Sequence, residues 1–145
     1  MPARRLRAKG AKMPPAIEKR LLQTAVAMFA LVPIGAGLAG AGLGPELSDG
    51  IASNVSLDSH FRYLSGLLLG IGLAFWSTIR SIERNAARFR LLTLIVFIGG
   101  LARLWSLADA GIPSMPMLGG LTMELITTPI LCLWQARVAN AFHDS

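Results

Sequence analysis

Four apolar stretches, each near 20 residues long, govern what this 145-residue chain can become. They run from about Leu21 to Leu43, Phe61 to Ile79, Leu91 to Ala108 and Met115 to Gln135. A helix needs about 20 apolar residues to cross a bilayer, so four spans use about 80 residues and leave room for little beyond one domain. The expected fold is all-α: an integral membrane four-helix bundle. Residues 1–16 read as a basic, disordered cytoplasmic tail, 17–139 as the four-span domain, and 140–145 as a second cytoplasmic tail.

Composition agrees. Hydrophobic residues make up 53% and charged residues 15%, the latter below the ~25% of ordinary soluble domains. The net charge of +6 and the pI near 10.8 would suggest nucleic acid in a soluble protein. Here the basic residues cluster at the ends of the apolar stretches, the pattern of membrane topology, so no nucleic-acid partner is expected. The lone Cys132 lies inside the fourth stretch and reads as an apolar filler; it forms no intramolecular disulfide.

Orientation follows from the loops. Arg4, Arg5, Arg7, Lys9, Lys12, Lys19 and Arg20 precede the first stretch. Arg80, Arg84, Arg88 and Arg90 lie between the second and third, against one Glu83. The other two loops carry Glu46, Asp49, Asp58 and Asp109. The positive-inside rule then predicts both termini in the cytoplasm. The first stretch exceeds the ~7–15 residues of a signal-peptide core, and three more spans follow, so it reads as an uncleaved helix. Pro33 predicts a bend in it. Trp76, Trp105 and Trp134 fall near span ends, as aromatic belts do.

Two charges break the apolar pattern. Arg103 sits in the third stretch and Glu124 in the fourth. Each costs ~2.5–3.5 kcal/mol at the centre of a membrane helix on insertion scales, so each needs a partner or a task. Counted from the outer span ends, Arg103 lies about 8 Å deep and Glu124 about 14 Å, an offset a snorkelling arginine bridges. Gly99 and Gly100 share the face of Arg103, Gly120, Thr127 and Thr128 that of Glu124, and Gly66 and Gly70 that of Arg62. Small-residue stripes of this kind let helices approach closely in lipid. At the mouth of the second stretch stand Asp58, His60, Arg62 and Tyr63. Asp58 and Arg62 are spaced for a helical ion pair, and Asp58 or Ser59 is placed to cap the helix. The loop from Gly44 to Ser59 is long and partly apolar, as a lid over the bundle would be.

Asp58, His60, Arg62, Tyr63, Arg103 and Glu124 are therefore the candidate ligand-binding residues. For Arg103 and Glu124 the competing reading is a structural ion pair that fixes helix register. For His60 it is an exposed helix-start residue. With only His60 and His143, at opposite ends, neither a metal nor a haem site is expected, and no cofactor can be assigned. Gly35-x-Gly37-x-x-Gly40 matches a dinucleotide fingerprint as a string but lacks the preceding strand, so helix packing explains it. Asn54-Val55-Ser56 is a chance glycosylation match. The Arg80–Arg90 run has the charge to bind anionic headgroups, though topology alone accounts for it. No nucleophile–base–orienter set can be assembled.

The stretch Ser53-Asn54-Val55-Ser56-Leu57-Asp58-Ser59-His60-Phe61-Arg62-Tyr63-Leu64-Ser65-Gly66 resembles the signature of a mainly bacterial membrane family, domain of unknown function 4345. Gly99-Gly100-Leu101-Ala102-Arg103-Leu104 resembles its second hallmark, and Glu124 stands where that family has an acidic residue. The resemblance covers roughly Ile17 to Ala139. It implies a four-span bundle in a bacterial inner membrane and supplies no activity. The reading best matched to these features is a non-enzymatic protein binding a small amphiphile or lipid in a polar pocket of the outer membrane half. Two alternatives stand beside it: a structural or accessory subunit of a membrane complex, or homo-oligomer, and a membrane-embedded redox or isomerase-type enzyme using Glu124 or His60 for proton transfer.

Overall fold

A computed structural model describes residues 13–47 and 54–143, all helices and their connections. The basic residues up to Lys12 and loop residues 48–53, read above as tail and lid, lie outside the described residues. The elements are α1 (Pro15–Leu43), a 3-10 turn (Gly44–Leu47), α2 (Val55–Thr78), a second 3-10 turn (Ile79–Ser81), α3 (Ala86–Ala110), α4 (Met115–Thr122), a π-helical turn (Met123–Thr127) and α5 (Thr128–His143). The last three form one continuous fourth span, so four helices are long and apolar enough to cross a membrane.

Each helix overruns its apolar stretch, because the helical backbone continues once it leaves hydrocarbon. α1 has 29 residues and a length of about 43 Å, against a hydrocarbon core of about 30 Å. It opens on Pro14-Pro15, whose fixed φ suits a first turn. It closes at Gly44, φ 71°, whose N–H donates to the Gly40 carbonyl. α2 starts six residues ahead of Phe61. Its cap is Asn54, which accepts from the Leu57 N–H at 2.7 Å. Neither Asp58 nor Ser59 caps it, because both already lie within the helix.

Successive helices are antiparallel neighbours in a ring, with no backbone contact across either diagonal among the described residues. α1 and α2 pack along most of their length. A Cβ at Gly37 would lie 2.6 Å from the Leu69 backbone nitrogen, and one at Gly72 would lie 2.8 Å from Ile34 beside Pro33. This seam needs glycine, as close helix approach in lipid does. Gly66 and Gly70, expected on such a seam, instead face open space. The face of α2 turned to α1 carries Ser65, Leu69 and Gly72, and Gly66 and Gly70 fall off it.

The buried core occupies one end of the ring, the end bearing the Arg80–Arg90 turn. On α1, Glu18, Leu22, Val26 and Ala30 recur every fourth residue and are all buried. They meet Phe75, Ile82, Phe89, Leu92, Leu131 and Val138, with Phe75 edge-on to Phe89 at 5.1 Å. Two glutamines close the α2–α3 turn. Gln23 of α1 donates its amide to the Ile79 carbonyl and Gln135 of α5 to the Ile82 carbonyl, each at 2.7 Å. Such carbonyls have no partner inside their own helix end. Lys19 pairs with Glu83 and Glu18 with Arg137, both at 3.0 Å. At the other end α4 packs on α3 alone, no α4 residue is buried, and residues 101–106 of α3 are all exposed. The α1–α2 and α3–α4 hairpins thus join at the basic end and stand apart at the far end.

Burial alone would push the Glu83 carboxyl up. Its own backbone N–H, the Lys19 ammonium and the Arg84 guanidinium outweigh that and hold it below the ordinary value of 4.5. A depressed folded value means the stabilisation is full above the ordinary pKa and is lost as pH falls through the folded one. Thermal unfolding in detergent should therefore show stability falling on acidification below about pH 4.5, and Glu83→Gln should flatten that acid limb.

Candidate functional site

The structure divides the six candidate residues between the two hairpins. Among the described residues, no hydrogen bond or ion pair joins one set to the other. Asp58, His60, Arg62 and Tyr63 lie on the first two turns of α2. Arg103 lies on α3 and Glu124 on the π-helical turn.

On α2 the arginine is engaged through Nε and Nη1. Arg62 Nε contacts both Asp58 oxygens, at 3.1 and 3.0 Å. Its Nη1 donates to the Ala41 and Gly42 carbonyls at 2.8 and 2.9 Å. These belong to the last turn of α1, where carbonyls lack intrahelical partners and the dipole favours a cation. Gly44 makes the approach feasible: a Cβ there would lie 2.7 Å from Arg62 Nη2 and 2.8 Å from Asp58 Oδ1. Arg62 and Asp58 thus lock the far end of α1 to α2. His60 and Tyr63 are exposed and line a shallow open groove with Val55, Ser56 and Ser59.

The pair on the second hairpin is built differently. Arg103 Nε stands 3.4 Å from Glu124 Oε1, a long closest approach. Arg103 Nη1 reaches the Met117 sulfur at 3.2 Å, a weak acceptor. Glu124 Oε2 is buried and accepts no hydrogen bond from the described residues. The Glu124 side chain is 17% exposed, that of Arg103 42%, so the carboxylate lies inside and the guanidinium at an opening. Gly100 lets α3 close onto the carboxylate: a Cβ there would fall 3.0 Å from Glu124 Cβ and 2.7 Å from Leu125 Cδ2. At Gly120 a Cβ would meet Arg103 Nη1 at 3.5 Å, an ordinary contact, so this glycine is not required there. Gly99 touches nothing.

Glu124 owes its position to Pro129. Proline has no N–H to give the Leu125 carbonyl, and its ring crowds that carbonyl. The helix relieves this by widening: the Thr128 N–H donates to Met123, five residues back, and Thr128 Oγ1 bonds the same carbonyl at 2.8 Å. Such π turns recur at functional sites. Pro129 in the sequence was the available signal. The part taken by Met117 had none, since it depends on how α3 and α4 pair. Thr127 and Thr128 were placed on the Glu124 face by helical counting; the π turn breaks that count, and the Thr128 hydroxyl is spent on its own backbone. No three His, Cys, Asp or Glu side chains gather at a metal-sized site among the described residues.

Four apolar antiparallel helices, with a partly satisfied ion pair within one hairpin, define a polytopic α-helical membrane protein. The family model Domain of unknown function (DUF4345) matches residues 21–135, and the chain belongs to that family. No curated protein and no solved structure matches it.

The two arginines should respond differently to truncation. Arg62→Met removes donors from two helix-end carbonyls, at about 1–2 kcal/mol. Amide hydrogen exchange should speed up through the last turn of α1 and leave α3 and α4 unchanged.

Proposed function

We propose that this protein binds a small amphiphile or lipid in the open half between its two hairpins, with the polar head of the ligand on Arg103 and Glu124. The observation that carries this reading is the contrast between the two arginine–carboxylate pairs. Asp58 and Arg62 satisfy each other and two backbone carbonyls, as a structural lock does. Arg103 and Glu124 approach no closer than 3.4 Å, and Glu124 Oε2 is buried without a hydrogen bond from the described residues. A buried unpaired oxygen of this kind carries a desolvation cost of about 1–3 kcal/mol, which a ligand hydroxyl, amide or ammonium donor would offset. The guanidinium, half-exposed at the opening, suits a phosphate, carboxylate or carbonyl oxygen. The apolar faces of α3 and α4 suit an acyl or isoprenoid-like tail.

In this reading Asp58 and Arg62 serve the fold, and His60 and Tyr63 stand on the rim at the same end of the molecule. The basic turn and basic α1 start support an orientation with both termini in the cytoplasm, which places the open half toward the outer leaflet. A bacterial inner membrane is the location the family resemblance implies. The accessory-subunit reading draws on the exposed apolar outer turns of α3, where Trp105 is 76% exposed.

Native mass spectrometry of protein extracted gently from its own membrane tests this. A stoichiometric small-molecule adduct is expected on the wild type and absent from Glu124→Gln, with the two melting within about 2 °C of each other, a shift that corresponds to under 1 kcal/mol for a chain of this size. An adduct retained by Glu124→Gln would overturn the proposal. A bare wild-type protein would favour a structural pair, and a co-eluting second protein an accessory subunit.

A further inference from the structure

The basic end carries a second polar feature that the ligand reading does not use. Seven basic side chains are described there: Lys19, Arg20, Arg80, Arg84, Arg88, Arg90 and Arg137. The two acidic side chains described at that end, Glu83 and Glu18, are held by Lys19 and Arg137. Arg80, Arg84, Arg88 and Arg90 are exposed and none of them makes an ion pair within 4 Å among the described residues, although Arg84 lies close enough to Glu83 to act on its carboxyl.

Two of these four converge on a groove. Ala27 of α1, Trp76 and Ser77 of α2, and Ile79 and Arg80 of the following turn line a shallow, largely apolar depression. Arg88, from the first turn of α3, brings its Nη1 to 3.4 Å from Ser77 Oγ. The Ser77 hydroxyl donates to the Ala74 carbonyl at 2.7 Å, so its lone pairs face the arginine. Two guanidiniums from different elements therefore reach one rim. Their level matches a lipid headgroup: Arg80 lies one turn beyond Trp76, near the end of the span at Ser81, and tryptophan favours the membrane–water interface. Trp76 is 45% exposed and Leu73, one turn deeper, 52%. Below the charges, an apolar track thus leads toward the membrane interior.

We propose that Arg80 and Arg88 hold the phosphate of one anionic glycerophospholipid at this groove, with Trp76 against its glycerol region and its acyl chains on the Leu73 side. The site is separate from Arg103 and Glu124 and stands or falls independently of them. Arginine recognises phosphate through its planar fork. Juxtamembrane arginines attract anionic lipid, and the groove gives that attraction a fixed place.

The test uses the full chain in phosphatidylcholine nanodiscs carrying a photoactivatable phosphatidylglycerol. Cross-links should concentrate on the peptides bearing Trp76–Arg80 and Arg88. Arg80→Gln with Arg88→Gln should lower that labelling about tenfold. Arg84→Gln with Arg90→Gln removes as much charge and should leave it within about twofold. Equal loss in both double variants would overturn the proposal in favour of diffuse attraction. Displacement by millimolar inorganic phosphate would overturn it in favour of a free-anion site. Should the first double variant fail to fold, the wild type decides alone. Preferential labelling of these peptides by phosphatidylglycerol over an equally photoactive phosphatidylcholine supports the site, and equal labelling refutes it.

Discussion

Where a helix stops at a membrane surface, its last carbonyls need donors. At the α2–α3 turn those donors are amides from other spans: Gln23 reaches Ile79 and Gln135 reaches Ile82. Each bond crosses more than fifty residues of sequence and ties a span to the same short turn. The Lys19–Glu83 pair repeats the first of those ties in charge, Glu18–Arg137 joins α1 to α5 directly, and the apolar core from Leu22 to Val138 lies against them. Among the described residues nothing comparable crosses between the hairpins at the far end. The open half of the molecule is the counterpart of this closed one, and the Arg103–Glu124 pair stands in the open half.

The two arginine–carboxylate pairs show how similar residues acquire different work. In the α2 pair, spacing of four along one helix and a neighbouring helix end give acceptors to Arg62 Nε and Nη1. In the other pair the partners lie on different helices, across a turn widened by Pro129. The carboxylate keeps one buried oxygen free. Buried polar groups are nearly always partnered; Glu83 Oε2, Thr93 Oγ1 and Gln135 Oε1 are also buried without a hydrogen bond from the described residues, and Glu124 Oε2 is the one of these four atoms that stands in the open half.

Much of this was legible in the sequence. Run length and composition sufficed for four helices, and the i,i+4 spacing for Asp58 with Arg62. Depth counting placed Arg103 opposite Glu124, but the length of their contact depends on the π turn, which simple helical counting misses. Gln23 and Gln135 read as ordinary residues near span ends, because their task exists only once α1 and α5 lie beside the α2–α3 turn. Arg62 looked available for a ligand for the same reason: its other acceptors, Ala41 and Gly42, are about twenty residues away in sequence. Glycine content announced close packing, but only the geometry separates Gly37 and Gly72 in the seam from Gly66 and Gly70 in the open.

The hairpins are fastened at the basic end and, among the described residues, part at the other, and we propose that the gap admits a ligand. Double electron–electron resonance tests it most directly, in a Cys132→Ala background. One spin-label pair goes at the far end, Gly42→Cys with Gly119→Cys, both at positions where a side chain meets open space. The other goes at the basic end, Arg20→Cys with Asn140→Cys, both exposed. The account predicts a narrow, invariant distance at the basic end. It predicts a broad distribution at the far end that narrows when lipid extract from the native membrane is added. A far-end distribution as narrow as the basic one, and indifferent to that extract, would contradict it.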